Sequence, residues 1–196
     1  MLTSDIISKF EIYVDDGTEL SSSEELDLAN KIYRKICNER PWSWLFKSTT
    51  GSISSGSITL PTDFAYLTSK DEEDYKCVFV GTNYRPVKLI NYNQRRLYQS
   101  QDVAYIDPTD SKIKFIITPT ETTYEFDYIK VPVDLTLITS PIFPARFHDI
   151  IYHGMASDDY MIQQFDKARS YANENQSKYV SILKDMAFND AMLLQN

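Results

Sequence analysis

Val103-Ala104-Tyr105-Ile106-Asp107-Pro108-Thr109-Asp110-Ser111-Lys112-Ile113-Lys114-Phe115-Ile116-Ile117 is the stretch on which the fold turns. Its two arms are short and β-prone, and Pro108-Thr109-Asp110-Ser111 between them is composed of residues that favour tight reversals. In the second arm Ile113, Phe115 and Ile117 fall on one face and Lys112 and Lys114 on the other, the period of a half-buried strand. A few residues on, Tyr124, Phe126 and Tyr128 alternate with Glu125 and Asp127, giving a strand with one aromatic and one acidic face.

The same signal extends upstream. Lys76–Val80 and Tyr84–Ile90 read as strands joined through Gly81, Thr82 and Asn83, and Ser52–Leu60 reads as a hairpin turning at Gly56. Residues 47–133 therefore predict six to eight short strands, most simply an antiparallel sandwich or small barrel.

On either side the period changes to that of helices. In residues 1–46, Thr3 or Ser4 is placed to cap a short helix carrying Ile6, Ile7, Phe10, Tyr13 and Val14, with Gly17 as its stop. A second helix starts in Ser21-Ser22-Ser23, where Ser22 and Glu25 fit a capping box, and carries Leu26, Leu28, Ala29, Ile32, Tyr33 and Ile36 up to Pro41. The aromatic run Trp42, Trp44, Leu45 and Phe46 that follows is expected to anchor the helical part to the β part. Pro132, Pro141 and Pro144 mark the exit from the sheet, and in the C-terminal helical segment, residues 134–196, helix is expected from Ala145 onward. Phe147, Ile150, Ile151, Met155, Ile162 and Phe165 form one apolar stripe, and Tyr179, Ile182, Leu183 and Met186 another. Asp166 is a candidate cap, and Asn173-Glu174-Asn175 a candidate bend; the pattern allows one bent helix or two. The expected fold class is α+β, with the β part inserted between terminal helices that pack together as one layer.

The 196 residues are enough for a core without disulfides or metals. The chain carries a net charge of −8, the opposite of what tight duplex binding needs, because such binding gains from cations that displace phosphate counterions. Fourteen tyrosines suit either a sheet or a half-wet interface. Cys37 and Cys77 are far apart and read as free, buried thiols in a reducing compartment. Met1–Phe10 lacks a signal-peptide core, and no apolar run reaches bilayer length, so no membrane association is expected.

Chemistry-bearing patterns are weak. His148 and His153 are five apart, on different helix faces, with no HExxH, and read as two partly exposed helix residues. Asp71-Glu72-Glu73-Asp74 lacks the alternation, Gly and closing Glu of a calcium loop and reads as a solvated tip, as do Asp15-Asp16 and Asp158-Asp159. Arg95-Arg96 beside Tyr92 and Tyr98 is the best nucleic-acid candidate, against the plainer reading of a salt-bridging surface. There is no GxSxG, no Gly-rich phosphate loop and no cysteine in a nucleophile setting. No catalytic, cofactor-binding or metal site is expected, and the chain does not read as an enzyme.

Several segments in order carry a family likeness: Trp42-Ser43-Trp44-Leu45-Phe46; Gly56 to Phe64 with its Leu60-Pro61-Thr62-Asp63-Phe64; Ile113 to Pro119 with Tyr124 to Pro132; Pro144 to Ala156; and Lys178-Tyr179 to Met186. Together they resemble the head-to-tail connector, or adaptor, subunits of tailed bacteriophages over most of Leu26–Asp190. That resemblance implies a structural virion protein of the head–tail junction, made in the host cytoplasm. Its expected partners are the portal protein, tail or nozzle proteins and copies of itself in a ring, dodecameric by analogy. Double-stranded DNA would pass through the lumen without tight binding. A carbohydrate-binding or cell-wall-degrading tail protein is the competing reading, although the helical C-terminus has no purpose in it. Phe188, Met192, Leu193 and Leu194 are large and apolar where chain ends usually fray. They are expected either to dock on the portal or to fold back onto their own subunit.

Overall fold

The computed structural model describes residues 1–14, 20–68, 76–158 and 166–194, without the side chains of 166–168, 170 and 194. The chain divides into two compact units, one made of Met1–Trp44 with Pro132–Asn196 and the other of Leu45–Val131.

The inserted unit is an eight-stranded sheet. Its strands are β1 (Phe46–Ser52), β2 (Ser57–Thr59), β3 (Phe64–Leu67), β4 (Cys77–Val80), β5 (Arg85–Ile90), β6 (Val103–Asp107), β7 (Lys112–Phe115) and β8 (Thr123–Lys130). They run in the order β1-β8-β4-β5-β6-β7-β2, with β3 also on β8. The two ends of that order, β1 and β2, are joined by a tight turn with Ser55 at φ 50° and Gly56 at φ 67°, closed by a Ser54–Ser57 bridge. The sheet is thereby brought nearly to closure as a small barrel. Gly56 is needed there because two successive positive-φ residues match the strand twist of a two-residue hairpin.

One feature departs from the antiparallel expectation: β5 and β6 pair in parallel, Lys88 with Val103 through Ile90 with Tyr105, so the sheet is mixed. The connection between them, residues 91–102, includes a 3-10 turn at Tyr92–Gln94 and is long enough to return the chain to the same end of the sheet.

Alternation decides what is inside. Val78 and Val80, Val87, Ala104, Ile113 and Phe115, and Phe126 and Tyr128 all point into one core with Ile58 and Leu67. The β6–β7 reversal is held by Asp107, which accepts from the Thr109 amide and hydroxyl at 3.0 and 2.7 Å and from Lys114 Nζ at 2.7 Å. Ser111 supplies its left-handed residue at φ 53°. Asp63 pins β8: one carboxylate oxygen accepts from Tyr128 Oη at 2.7 Å, the other from Lys47 Nζ at 2.9 Å.

The helical unit contains α1 (Thr3–Val14), α2 (Ser22–Asn38), α3 (Asp149–Ala156) and α4 (Asp166–Leu194). In α1, Ile6, Ile7, Phe10 and Val14 are buried. Its expected cap is corrected: Asp5 reaches back to the Leu2 N–H at 2.9 Å, while the Thr3 hydroxyl donates to the Thr139 carbonyl at 2.8 Å. Gly17, the expected stop, lies outside the described residues. In α2 the capping box sits one residue earlier than expected, on Ser21 and Glu24, and Glu25 is buried. The serine run offers two registers for the same motif, and the one adopted turns Glu25, Leu28, Ala29 and Ile32 inward.

Trp42 and Trp44 stack at 4.6 Å, and the Trp42 indole N–H donates to the Ile36 carbonyl at 2.7 Å, which ties the chain after Pro41 to the end of α2. Helix follows from Ala145 as expected, in a 3-10 turn at Ala145–Phe147, then α3 and α4, with α3 ending in a turn at Ser157. The expected bend at Asn173-Glu174-Asn175 is absent, because α4 runs through it and Asn175 finds a buried partner in His153 at 3.0 Å. Ile162 and Phe165 lie outside the described residues.

The helices approach closely at Gly154 of α3, where a Cβ would stand 2.5 Å from Ile32 Cγ2 and 3.2 Å from the Tyr179 ring. The absent side chain is what lets α2 and α4 close on α3.

Candidate interaction surface

The apolar C-terminus singled out in the sequence is the last turn and a half of α4, and α4 has two sharply different faces there. Tyr179, Met186 and Asp190 are buried. Phe188 is 69% exposed, Met192 50% and Leu193 62%. At about 100° per residue, Met192 lies roughly 40° from Phe188 around the helix, whereas Met186 and Asp190 lie roughly 160° away. Leu194 closes α4, and its side chain lies outside the described residues.

The inward face is fastened to its own unit by polar contacts. Asp190 is fully buried, and its Oδ1 accepts from the Ser43 amide at 2.9 Å. Its other oxygen lies 3.9 Å from the Arg40 guanidinium. Arg146 donates to Asn189 Oδ1 at 2.6 Å, with its guanidinium over the Phe147 ring. Helix position is thus held on one side while Phe188 and Met192 are exposed on the other. Large apolar side chains displayed on a fixed helix suit docking into a groove, and methionine adapts to an irregular one.

Sequence reading missed a second apolar display. After β8 the segment from Pro132 has no regular structure, yet it is pinned at several points. Asn30 is buried and exchanges two hydrogen bonds with the Leu135 backbone, at 3.1 and 2.7 Å. Arg34 forks onto Asp134 at 2.7 and 2.6 Å. Thr3 and Ser4 donate amides to Thr139 and Leu137. On this fixed segment Val133 and Ile138 are 83% and 81% exposed. The available signal was the alternation Val131, Val133, Leu135, Leu137 continuing past the sheet, of which only Leu135 is buried.

The other candidates do not form a catalytic centre. His148 and His153 are buried, at 2% and 6% exposure, which corrects the reading of two partly exposed residues. The cause is the helix layer itself: both lie where α3 packs on neighbouring segments, and each has hydrogen-bond partners inside. Burial lowers both pKa values from the ordinary histidine value.

Arg95 lies over the Tyr92 ring at 3.7 Å and donates to the Tyr92 carbonyl at 2.8 Å, so its guanidinium is occupied by cation–π stacking. Asp158 pairs with Lys31 at 2.8 Å. Asp15-Asp16, Asp71 to Asp74 and Asp159 lie outside the described residues. Neither Cys37 nor Cys77 is in a disulfide and both are buried, and burial pushes the Cys37 thiol up to about 12. Among the described residues no group of three or more His, Cys, Asp or Glu is placed to hold a metal ion. No described helix is long and apolar enough to cross a membrane.

A small mixed β-barrel inserted into a helix layer, with apolar side chains displayed on fixed backbone, defines a structural interaction protein. The sequence profile of the SU10 adaptor protein family matches residues 1–192, and the chain belongs to that family. It is therefore a structural bacteriophage adaptor, a component of the virion, in a family that is not an enzyme class. Among curated proteins, none matches the chain.

Proposed function

We propose that the chain is the head-to-tail adaptor that forms a ring below the portal, extends the DNA channel and receives the tail. The observation that carries this reading is membership of the adaptor family over residues 1–192. The ring is built from head-to-tail contacts between copies, twelve by analogy with connector subunits, because such contacts close only when one rotation is repeated. The end of α4 is the portal-docking element, with Phe188, Met192, Leu193 and Leu194 entering the portal. The exposure of Phe188 and Met192 on a helix whose other face is fastened at Asp190 supports that assignment. A net charge of −8 supports a lumen that DNA crosses without being gripped. Synthesis in the host cytoplasm, before assembly, accords with two free thiols.

The test is to mix the subunit with its cognate portal and image the product, expecting an added collar. Phe188→Ser with Met192→Ser should leave the melting temperature within a degree or two and abolish the collar. These point substitutions are preferable to removing Phe188–Asn196, which would also take away the buried Asp190. A stable two-fold dimer that ignores the portal would refute the ring, and an intact collar in the double variant would refute the docking element.

A further inference from the structure

His148 is enclosed just before α3, between Met1 and the turn that follows Phe143. Its Nε2 lies 2.9 Å from the Phe143 carbonyl oxygen and its Nδ1 lies 3.2 Å from the Met1 carbonyl oxygen. The Phe143 ring meets it edge-on at 5.5 Å. A carbonyl oxygen only accepts, and a neutral imidazole has a single N–H. With both ring nitrogens facing carbonyls, a neutral ring would leave one lone pair pointing at another. Only the imidazolium, with two N–H groups, satisfies both contacts.

We propose that His148 is an acid-set latch: as the imidazolium it clamps the Met1 carbonyl and the Phe143 carbonyl together, and on losing a proton it keeps Phe143 and frees Met1. The two contacts differ in the direction this requires. The Phe143 bond is the shorter and is buried, whereas the Met1 bond is longer and only part-buried, so the remaining proton stays on Nε2.

The charges around the ring are few. The Met1 amino group opposes the cation, and Asp149 favours it while itself pairing with Lys9 at 2.9 Å. Arg146, two residues back, is turned away onto Asn189. Burial lowers the His148 pKa first, with the Phe143 carbonyl pulling it back up. The latch therefore closes on the acid side of the ordinary value of 6.5. What it releases above that point is local. Thr3 remains tied to Thr139, and Leu2 is held by its amide on Asp5 and by its carbonyl under the Asp5 and Ile6 amides, so Met1 is the residue set free and the Leu2 amide, in the same peptide group as the Met1 carbonyl, reports it.

The experiment is a pH titration of the uniformly labelled full-length protein by NMR between pH 5 and 8. The His148 ring nitrogens, the Met1 carbonyl carbon and the Leu2 amide are followed together. The expected result is one shared midpoint below 6.5, with both ring nitrogens protonated on the acid side and an Nε2–H tautomer above it. Asp149→Asn should move that midpoint down, and His148→Gln should abolish the change at Met1 and Leu2 while the rest of the spectrum stays folded. The proposal is overturned if His148 keeps one neutral tautomer across the range. It is equally overturned if His148 titrates and the Met1 and Leu2 signals do not follow.

Discussion

Replacing Gly154 with alanine sets two known effects against each other. Alanine is the better helix former by about 0.8–1.0 kcal/mol, so an open site would be stabilised. Gly154 is not open: the added Cβ would sit 2.5 Å from Ile32 Cγ2 and 3.2 Å from the Tyr179 ring. Carbon atoms rest about 3.5–4.0 Å apart, so α2 or its side chain must retreat by roughly an ångström. Overpacking of that kind costs about 1–3 kcal/mol. The contact falls on Ile32, itself only 3% exposed, and Tyr179, at 4%, which have little room to yield. Gly154→Ala is therefore expected to lose about 1–2 kcal/mol net. At about 2–4 °C per kcal/mol for a chain of this size, thermal melting should fall by about 2–8 °C. Ile32→Leu removes the offending Cγ2 methyl at nearly constant volume, and should by itself cost under about 1.5 kcal/mol. In urea unfolding followed by circular dichroism, the double variant should be more stable than the sum of the single losses by about 1 kcal/mol. A Gly154→Ala protein more stable than the parent, or singles that simply add, would show that this close approach does not limit the helix layer.

Acid should weaken the fold through named carboxylates. Lys47 and Tyr128 hold Asp63 below its ordinary pKa, Arg34 does the same for Asp134, and Arg85 draws Glu121 down to about 2. Each contributes stability that is fully present above the unfolded-state value near pH 4 and is lost as pH falls through the lower folded value. Urea midpoints should already slip from pH 7 to about 5, because the buried His148 and His153 take up protons less readily than in the unfolded chain, and then drop further; Asp63→Asn should flatten part of that lower drop, and a midpoint unchanged down to pH 3 would contradict it. The thiols give an independent check on burial. With Cys37 pushed up to about 12 and both cysteines buried, a disulfide reagent at pH 8 should leave the native protein nearly unlabelled and titrate two thiols in urea. Prompt labelling of Cys37 without denaturant would mean α2 opens more readily than its packing allows.

Strands were legible where one face is buried and the sequence alternates with it. The Lys112–Phe115 arm and the Tyr124–Tyr128 run read correctly because their inward residues, Ile113, Phe115, Phe126 and Tyr128, share one core. Pairing order was another matter. Nothing local marks β5 and β6 as parallel neighbours, since that depends on how residues 91–102 travel and not on either strand's composition. Phe64–Leu67 escaped notice as β3 for a related reason: its burial does not alternate, and its partner is an edge of β8 that Val80 and Phe79 of β4 also use. The histidines show the same limit. Polarity suggested exposure, while burial was decided by distant segments, Met1 and Phe143 around His148 and Asn175 of α4 at His153, which the spacing of the two histidines does not reveal.

The end of α4 shows why composition and geometry must be read together. From sequence, Phe188, Met192, Leu193 and Leu194 form an apolar tail that could pack on its own subunit or dock elsewhere. Helical geometry separates those uses by face. The half carrying Met186 and Asp190 is committed to the subunit, because a fully buried carboxylate bonded to the Ser43 amide would be costly to pull away. The half carrying Phe188 and Met192 is exposed. A surface of that kind is pre-organised, so a partner binding it need not also order the helix, and the entropic cost of association falls accordingly. Substituting Asp190 with alanine should therefore weaken portal capture even though the residue itself is inaccessible. It acts by fixing the helix that displays Phe188, and the loss should grow with temperature as that end of α4 frays. Equal portal capture by Asp190→Ala at 10 and 37 °C would break the link between the buried face and the exposed one.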